Sequence, residues 1–292
     1  MLRVRKVPAL PLKSWLRILG SIWNALGERH IGLIAAGVAF FSLFAVFPAA
    51  AALIAFWGLW ADPFVIETQL QMLEEFVPHD ALDLLSGQIE RLVQANESTL
   101  GWTTAISILV TLWSARLGVG ALMQGMNAAH GTANRGGVWH LVAALTLTLT
   151  LMGVAIVALA SIVILPIILA FFPLGGLTGT LVEIGRWAVA ITVVVFGTSL
   201  VYRYGPNRRR RTAWFSSGLV VAVLLWAAAS AAFSWFLGNF GNFNEIYGSI
   251  GAVIALLMWF YISAYAVLLG ALLNAEVDAE RQRLNGGTAQ SR

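Results

Sequence analysis

The chain has 292 residues, 59% hydrophobic and 11% charged, where a soluble domain carries about 25% charged residues. That much apolar surface cannot be hidden inside one water-soluble globule, which excludes a soluble enzyme or binding domain and leaves an integral membrane protein. The formal net charge is +4, and there is no cysteine, hence no disulfide, thiol nucleophile or thiolate metal site.

Residues 1–30 carry Arg3, Arg5, Lys6, Lys13, Arg17 and Arg29 against one acid, Glu28. Within them Trp15, Ile18, Leu19, Ile22, Trp23 and Leu26 recur at helical spacing, with Lys13 and Arg17 on the other side. This predicts an amphipathic helix, either lying on an anionic leaflet or packed on the cytoplasmic end of a bundle. Its charged region and following apolar run are too long for a secretory signal.

Span 1 is expected over about 31–60, with Pro48 near its middle removing one backbone donor. A break there lines a cavity or is a packed kink. Residues 62–98 form the only substantial loop, with eight acids and one base, Arg91. Two amphipathic helices are legible in it, marked by Ile66, Leu70, Leu73 and Val77 and by Leu82, Leu85, Ile89 and Leu92.

Span 2, about 100–123, holds Arg116. An intramembrane arginine points to function, although this one lies close enough to the span's end to snorkel. A short polar loop with Gln124, Asn127, His130 and Asn134 follows. Span 3 is expected over about 139–172 and span 4 over about 181–202. Between spans 4 and 5 lies a tight basic loop with Arg203, Arg208, Arg209, Arg210 and Arg211. Span 5, about 213–237, is rich in Ala and Ser, which permits close helix contact.

Span 6 covers about 246–273, a run without one ionisable acid or base. Gly248 and Gly251 give its first turn a face without bulk. Trp259, Tyr261 and Tyr265 need polar partners and suggest a protein-facing side. Asn274 and Glu276 close the run, and residues 277–292 read as a solvated cytoplasmic tail.

The expected architecture is therefore all-α: a polytopic bundle of six transmembrane helices over residues 31–276, with amphipathic helices before span 1 and in the 1–2 loop. Bases gather before span 1, between spans 2 and 3, between spans 4 and 5, and after span 6. The positive-inside rule then places both termini in the cytoplasm and residues 62–98 in the periplasm.

These segments resemble the YihY/BrkB family of bacterial inner-membrane proteins, formerly called ribonuclease BN-like. The similarity runs from about Gly20 to Glu276. It rests on AAGVAFFSLFAVFP in span 1, LWSARLGVGALMQGMNAAHG ending the second span, VYRYGPNRRRR followed by Trp214, and YGSIGAVIALLMWFYISAYAVLLGALLNAE in span 6. The family pattern often carries an acid just after the Gly-Ala pair of the last span. Here Leu272 follows Gly270 and Ala271, and Glu276 comes four residues later. The resemblance implies a six-span inner-membrane protein without settled biochemistry.

A ribonuclease needs clustered acids or a paired histidine at an aqueous site. His30, His130 and His140 sit near span ends without metal-ligand spacing, and no nucleotide or zinc motif occurs. No enzyme activity, metal, cofactor or nucleic-acid partner is expected. The leading expectation is a transporter or translocase of an amphipathic, lipid-like or small anionic substrate, with Pro48, Arg116, Asn127, Asn274 and Glu276 as pathway candidates. The competing class is a non-transporting scaffold supporting the envelope. Membrane lipids, with anionic headgroups at the basic loop, are the expected partners, and a homo-oligomer is open.

Overall fold

The computed structural model describes residues 11–60, 97–170, 177–208, 211–239 and 249–287. Seven helices account for nearly all of them, and among the described residues there is no strand. They are α1 (Leu12–Glu28), α2 (Ile31–Trp60), α3 (Glu97–His130), α4 (Gly137–Ala170), α5 (Leu177–Tyr204), α6 (Ser217–Asn239) and α7 (Ser249–Gly287). Five contain stretches long and apolar enough to cross a membrane: Ile31–Pro48, Ala105–His130, Gly137–Val157, Ser217–Phe236 and Val253–Leu284. In α5 the described apolar stretch, Ala188–Tyr204, is shorter. The 62–98 loop and Gly248 lie outside the described residues, apart from the start of α3 at Glu97.

The chain divides into two compact units, Phe41–Arg116 and the remainder. In Phe41–Arg116, α2 continues unbroken through Pro48. Thr111 and Ser114 are buried on α3, and the Thr111 hydroxyl donates back to the Ser107 carbonyl (2.7 Å), so its polarity is met within its own helix.

The other unit is built around α7. Ile31, Met123, Met126, Leu219, Leu268 and Leu272 are its largest fully buried apolar side chains. The closest crossing is between α6 and α7, where Gly218 and Gly270 bring backbone against backbone: a Cβ on Gly218 would sit 1.9 Å from the Gly270 carbonyl oxygen. Small residues let helices approach this closely in an apolar solvent that gives no hydrophobic drive for association. Trp226 of α6 meets Trp259 of α7 edge-on, with ring centroids 6.5 Å apart.

Two findings differ from the sequence expectation. The stretch Gln124–His130, expected as a polar loop, is the last two turns of α3. Gly125 fits there because Ile34 and Leu268 close over it, and the helix ends only at Gly131, in the left-handed region at φ 62°. There the Gly131 N–H donates to the Ala128 carbonyl and the Thr132 N–H to the Asn127 carbonyl, the paired bonds of a Schellman cap. Likewise α7 does not end at Leu273 but runs to Gly287. Val277 and Glu280 are buried on it, so residues 277–287 are a packed helical extension rather than a solvated tail.

What they pack against is α1. Ser14, Ile18, Ile22 and Ala25, spaced three or four apart, form its buried stripe, and α1 lies on α7. Leu16, Leu19 and Trp23 remain exposed on the other faces. A sharp corner joins α1 to α2, with His30 held at φ 51°.

Candidate functional site

The polar residues of the larger unit gather at the end of the bundle where α3, α5 and α7 finish and α4 and α6 begin. Two connecting segments are locked together there. Asn127, 1% exposed, donates from Nδ2 to Asn134 Oδ1 (2.9 Å), and its own Oδ1 accepts from the Asn207 N–H (2.7 Å) and the Thr132 hydroxyl (3.3 Å). Asn127 thus ties the α3–α4 connection to the α5–α6 connection. Arg135 reinforces the tie by donating to the carbonyls of Gly205 (2.7 Å), Pro206 (3.0 Å) and Tyr204 (3.1 Å). Partial burial holds its guanidinium pKa below the ordinary value.

Three acids on the α7 extension each take an arginine from a different part of the chain. Glu276 Oε1 lies 3.2 Å from Arg29 Nη2 at the α1–α2 corner, and Arg29 Nη1 also donates to the Ala129 carbonyl at the end of α3. Asp278 Oδ2 accepts from Arg208 Nη2 (3.0 Å) in the α5–α6 connection. Glu280 Oε1 lies 3.2 Å from Arg17 Nη1 of α1, close enough for charge attraction but without hydrogen-bond alignment. The Glu280 side chain is buried while Arg17 is largely exposed. Arg283, on the same helix, reaches Glu280 Oε2 only at 4.0 Å, so removing Arg17 would leave a desolvated carboxylate with one distant cation, which is where the cost of a broken buried pair arises.

Asn274 sits one turn before these acids and is 5% exposed. Its Oδ1 accepts from the Gly218 N–H (2.8 Å), one of the orphan donors in the first turn of α6, while Ser216 caps the same turn by accepting from the Leu219 N–H (3.2 Å). The Asn274 Nδ2 is buried and has no partner among the described residues. At His130 the Met126 carbonyl, 2.8 Å from Nδ1, requires the ring proton on Nδ1. In the neutral ring Nε2 is then a bare acceptor, buried and also without a partner among the described residues. Tyr202 donates to the Val267 carbonyl (2.7 Å), pinning α5 to α7 just below.

Further along α4 and α5 lies an open cleft of about 650 Å³, lined by Thr150, Gly153, Val154, Thr192, Val193 and Phe196 among others. Its walls are mostly apolar: Thr150 spends its hydroxyl on the Thr146 carbonyl (2.8 Å), and Thr192 is the other hydroxyl in the lining. Among the described residues, no group of acids and histidines is arranged to hold a metal ion.

The sequence profile of the family described as Virulence factor BrkB matches residues 22–292. The chain belongs to the BrkB family. It is similar to YfkH of Bacillus subtilis, whose name carries the words ribonuclease-like, with 27% identity over 224 residues, 73% of this chain and 78% of that one. It is similar also to a UPF0761 membrane protein of Xanthomonas campestris pv. campestris, 26% identical over 274 residues, 89% of this chain. A UPF0761 membrane protein of Idiomarina loihiensis is 30% identical over 92 residues, 32% of each chain. The chain spans 60% of the length of the Xanthomonas relative. No solved structure matches it. Family and membrane-capable helices together make this a multi-pass membrane protein.

In this BrkB-family chain the singled-out residues fall into two groups. Asn127, Asn274, Glu276 and Arg208 belong to the polar end just described. Arg203 is beside it, donating to the Thr212 carbonyl (3.2 Å) with its guanidinium 5.0 Å from the Trp214 ring centroid. Arg211 lies over the Tyr204 ring at 4.9 Å. Arg209 and Arg210 lie outside the described residues. Gly251 is buried in the first turn of α7. Pro48 and Arg116 belong to the other unit. The Arg116 guanidinium lies 4.4 Å from the Trp113 ring centroid, with a buried Nε that has no partner among the described residues. Sequence reasoning missed Arg17, Arg29, Asp278 and Glu280 as a set, and missed Gly218 and Gly270. The one available signal was the small-residue pair itself, since ion pairs between such distant positions leave no local pattern.

Proposed function

We propose that this BrkB-family protein is a translocase or transporter of an amphipathic, anionic, lipid-like substrate in the bacterial cytoplasmic membrane, and that it is not an enzyme. In this reading residues 31–276 form six spans, with α5 as the fourth. Its 28 residues make about 42 Å of helix, more than the roughly 30 Å hydrocarbon core requires. The loop charges favour both termini, and so the polar end, on the cytoplasmic side, with residues 62–98 in the periplasm.

The observation that carries the reading is the Asn274 amide nitrogen, buried at the α6–α7 crossing without a partner among the described residues. A polar group left unmatched in an apolar bundle costs about 1–3 kcal/mol, so it calls for water or a substrate group to meet it. The His130 Nε2 adds an acceptor of the same kind. Bases at headgroup level supply the preference for negative charge, and the apolar α4–α5 cleft the preference for hydrocarbon.

A scaffold is the second reading, favoured by the Gly218–Gly270 contact and the arginine–acid pairs, which fasten helices together. Thermal unfolding of the purified protein across a panel of lipids and small anions separates the two. Stabilisation by anionic lipids, smaller in Asn274→Leu, is the expected result. Equal stabilisation of both proteins, or none, would favour the scaffold.

A further inference from the structure

The α4–α5 cleft and the aromatic-capped arginine beside it share one axis, and neither has a role in the reading above beyond general preference. Phe196, at one end of the cleft, stacks on Trp214 with ring centroids 5.8 Å apart and planes 6° from parallel. The same indole meets Arg203, whose guanidinium lies 5.0 Å from the Trp214 centroid. From Phe196 to Arg203 is seven residues of α5, about 10 Å along the axis. Gly197 and Leu151 are level with each other, 3.8 Å from a built Cβ to the leucine side chain, so Thr150 on α4 marks the same end of the cleft as Phe196. Hydrocarbon-lined space, an aromatic step and a cation thus follow one another in the order tail, glycerol, headgroup.

The cation is available. Arg203 donates to the Thr212 carbonyl, and among the described residues no acid pairs with it, whereas Arg17, Arg29 and Arg208 are each engaged by a carboxylate of α7. A guanidinium has five donors and suits phosphate oxygens through its planar fork. Trp139, at the start of α4, and Trp214 and Phe215, just before α6, are exposed, as aromatic side chains are at a membrane interface. A volume of about 650 Å³ also falls in the range of small-ligand sites, about 300–1,000 Å³.

The geometry points to a specific site for an anionic glycerophospholipid: the phosphate at Arg203, the glycerol region across Trp214, and one acyl chain running past Phe196 so that its distal part lies in the cleft beside Thr150, Gly153 and Val193. One leaflet of the hydrocarbon core is about 15 Å deep, so a chain starting at Arg203 reaches the cleft with its terminal methylenes. This rests on the lipid-like substrate class proposed above and gives it an address.

Gly153 supplies the test, because a Cβ built there meets nothing within 4 Å and a larger side chain enters the cleft without meeting protein at its root. The full chain is placed in nanodiscs with phosphatidylglycerol carrying a photoreactive diazirine at the end of one acyl chain, and labelled peptides are mapped. Labelling concentrated in 150–157 and 188–196 is expected, lost in Gly153→Phe at unchanged melting temperature. The same chain on phosphatidylcholine should label these segments less. Arg203→Gln should erase that difference and Arg203→Lys should keep most of it, with melting curves confirming that both fold. Labelling spread evenly over the spans and unaffected by Gly153→Phe would overturn the site; equal labelling by both lipids would overturn the role of Arg203. The readout is occupancy. A lipid that binds here but is never moved contradicts the transport reading and leaves the site standing, and movement without this labelling does the reverse.

Discussion

Gly218 of α6 and Gly270 of α7 leave no room between their backbones. A methyl group at Gly218 would lie 1.9 Å from the Gly270 carbonyl oxygen, and one at Gly270 would lie 2.3 Å from the Gly218 carbonyl oxygen and equally close to the Tyr202 hydroxyl. Because the obstacle is backbone on both sides, neither helix can yield by changing a rotamer. Gly218→Ala should therefore force α6 off α7 and destabilise the protein by at least the 1–3 kcal/mol or so typical of overpacking. Thermal melts in detergent check this, with Gly153→Ala, which meets nothing within 4 Å, as the unaffected control. Equal melting temperatures for the two variants would remove this crossing from the account.

Arg29 and Glu276 are 3.2 Å apart and only partly exposed. A double-mutant cycle with Arg29→Met and Glu276→Gln should give a coupling of about 0.5–3 kcal/mol, as expected for residues in direct contact. Strict additivity of the two substitutions would remove this pair from the account.

Among the described residues, Arg116 rests on an aromatic ring rather than a partner charge. Its guanidinium lies 4.4 Å from the Trp113 ring centroid, a contact worth about 0.5–2 kcal/mol depending on desolvation. A lysine ammonium cannot stack its plane on the indole. Arg116→Lys and Trp113→Leu should impair function alike at normal expression. Full function in Arg116→Lys would identify the residue as a headgroup-level anchor.

Much of this was legible in the chain itself. The apolar runs mark the membrane-capable helices, and Asn127, Asn274, Glu276 and Arg208 all fall within the polar end. What stayed hidden has two physical causes. Ionisable residues end an apolar run but not a helix: Glu276, Asp278 and Glu280 lie on a helix that continues to Gly287, because α1 and three arginines cover them. Similarly, Asn127 reads as a loop residue until its amide is seen to bond two neighbouring segments. Pairings such as Arg29 with Glu276, 247 residues apart, follow from tertiary packing and have no local signature.

The proposed orientation is tested by labelling single cysteines in intact cells with a membrane-impermeant thiol reagent. Glu75→Cys should be reached from outside, and Gly136→Cys and Arg209→Cys only after lysis, the chain having no native cysteine to interfere. Protection of position 75 in intact cells with labelling after lysis would invert the topology.

In the proposed transport a lipid-like anion passes the polar end, with the Asn274 Nδ2, which has no partner among the described residues, on the route. The most direct measurement is the transbilayer movement of fluorescent phosphatidylglycerol in vesicles reconstituted with the purified chain, against protein-free vesicles and against vesicles holding Asn274→Leu. Movement well above the protein-free rate, falling back towards it in Asn274→Leu at equal incorporation and intact folding, is the predicted result. A rate in the wild type no faster than in protein-free vesicles would contradict the claim.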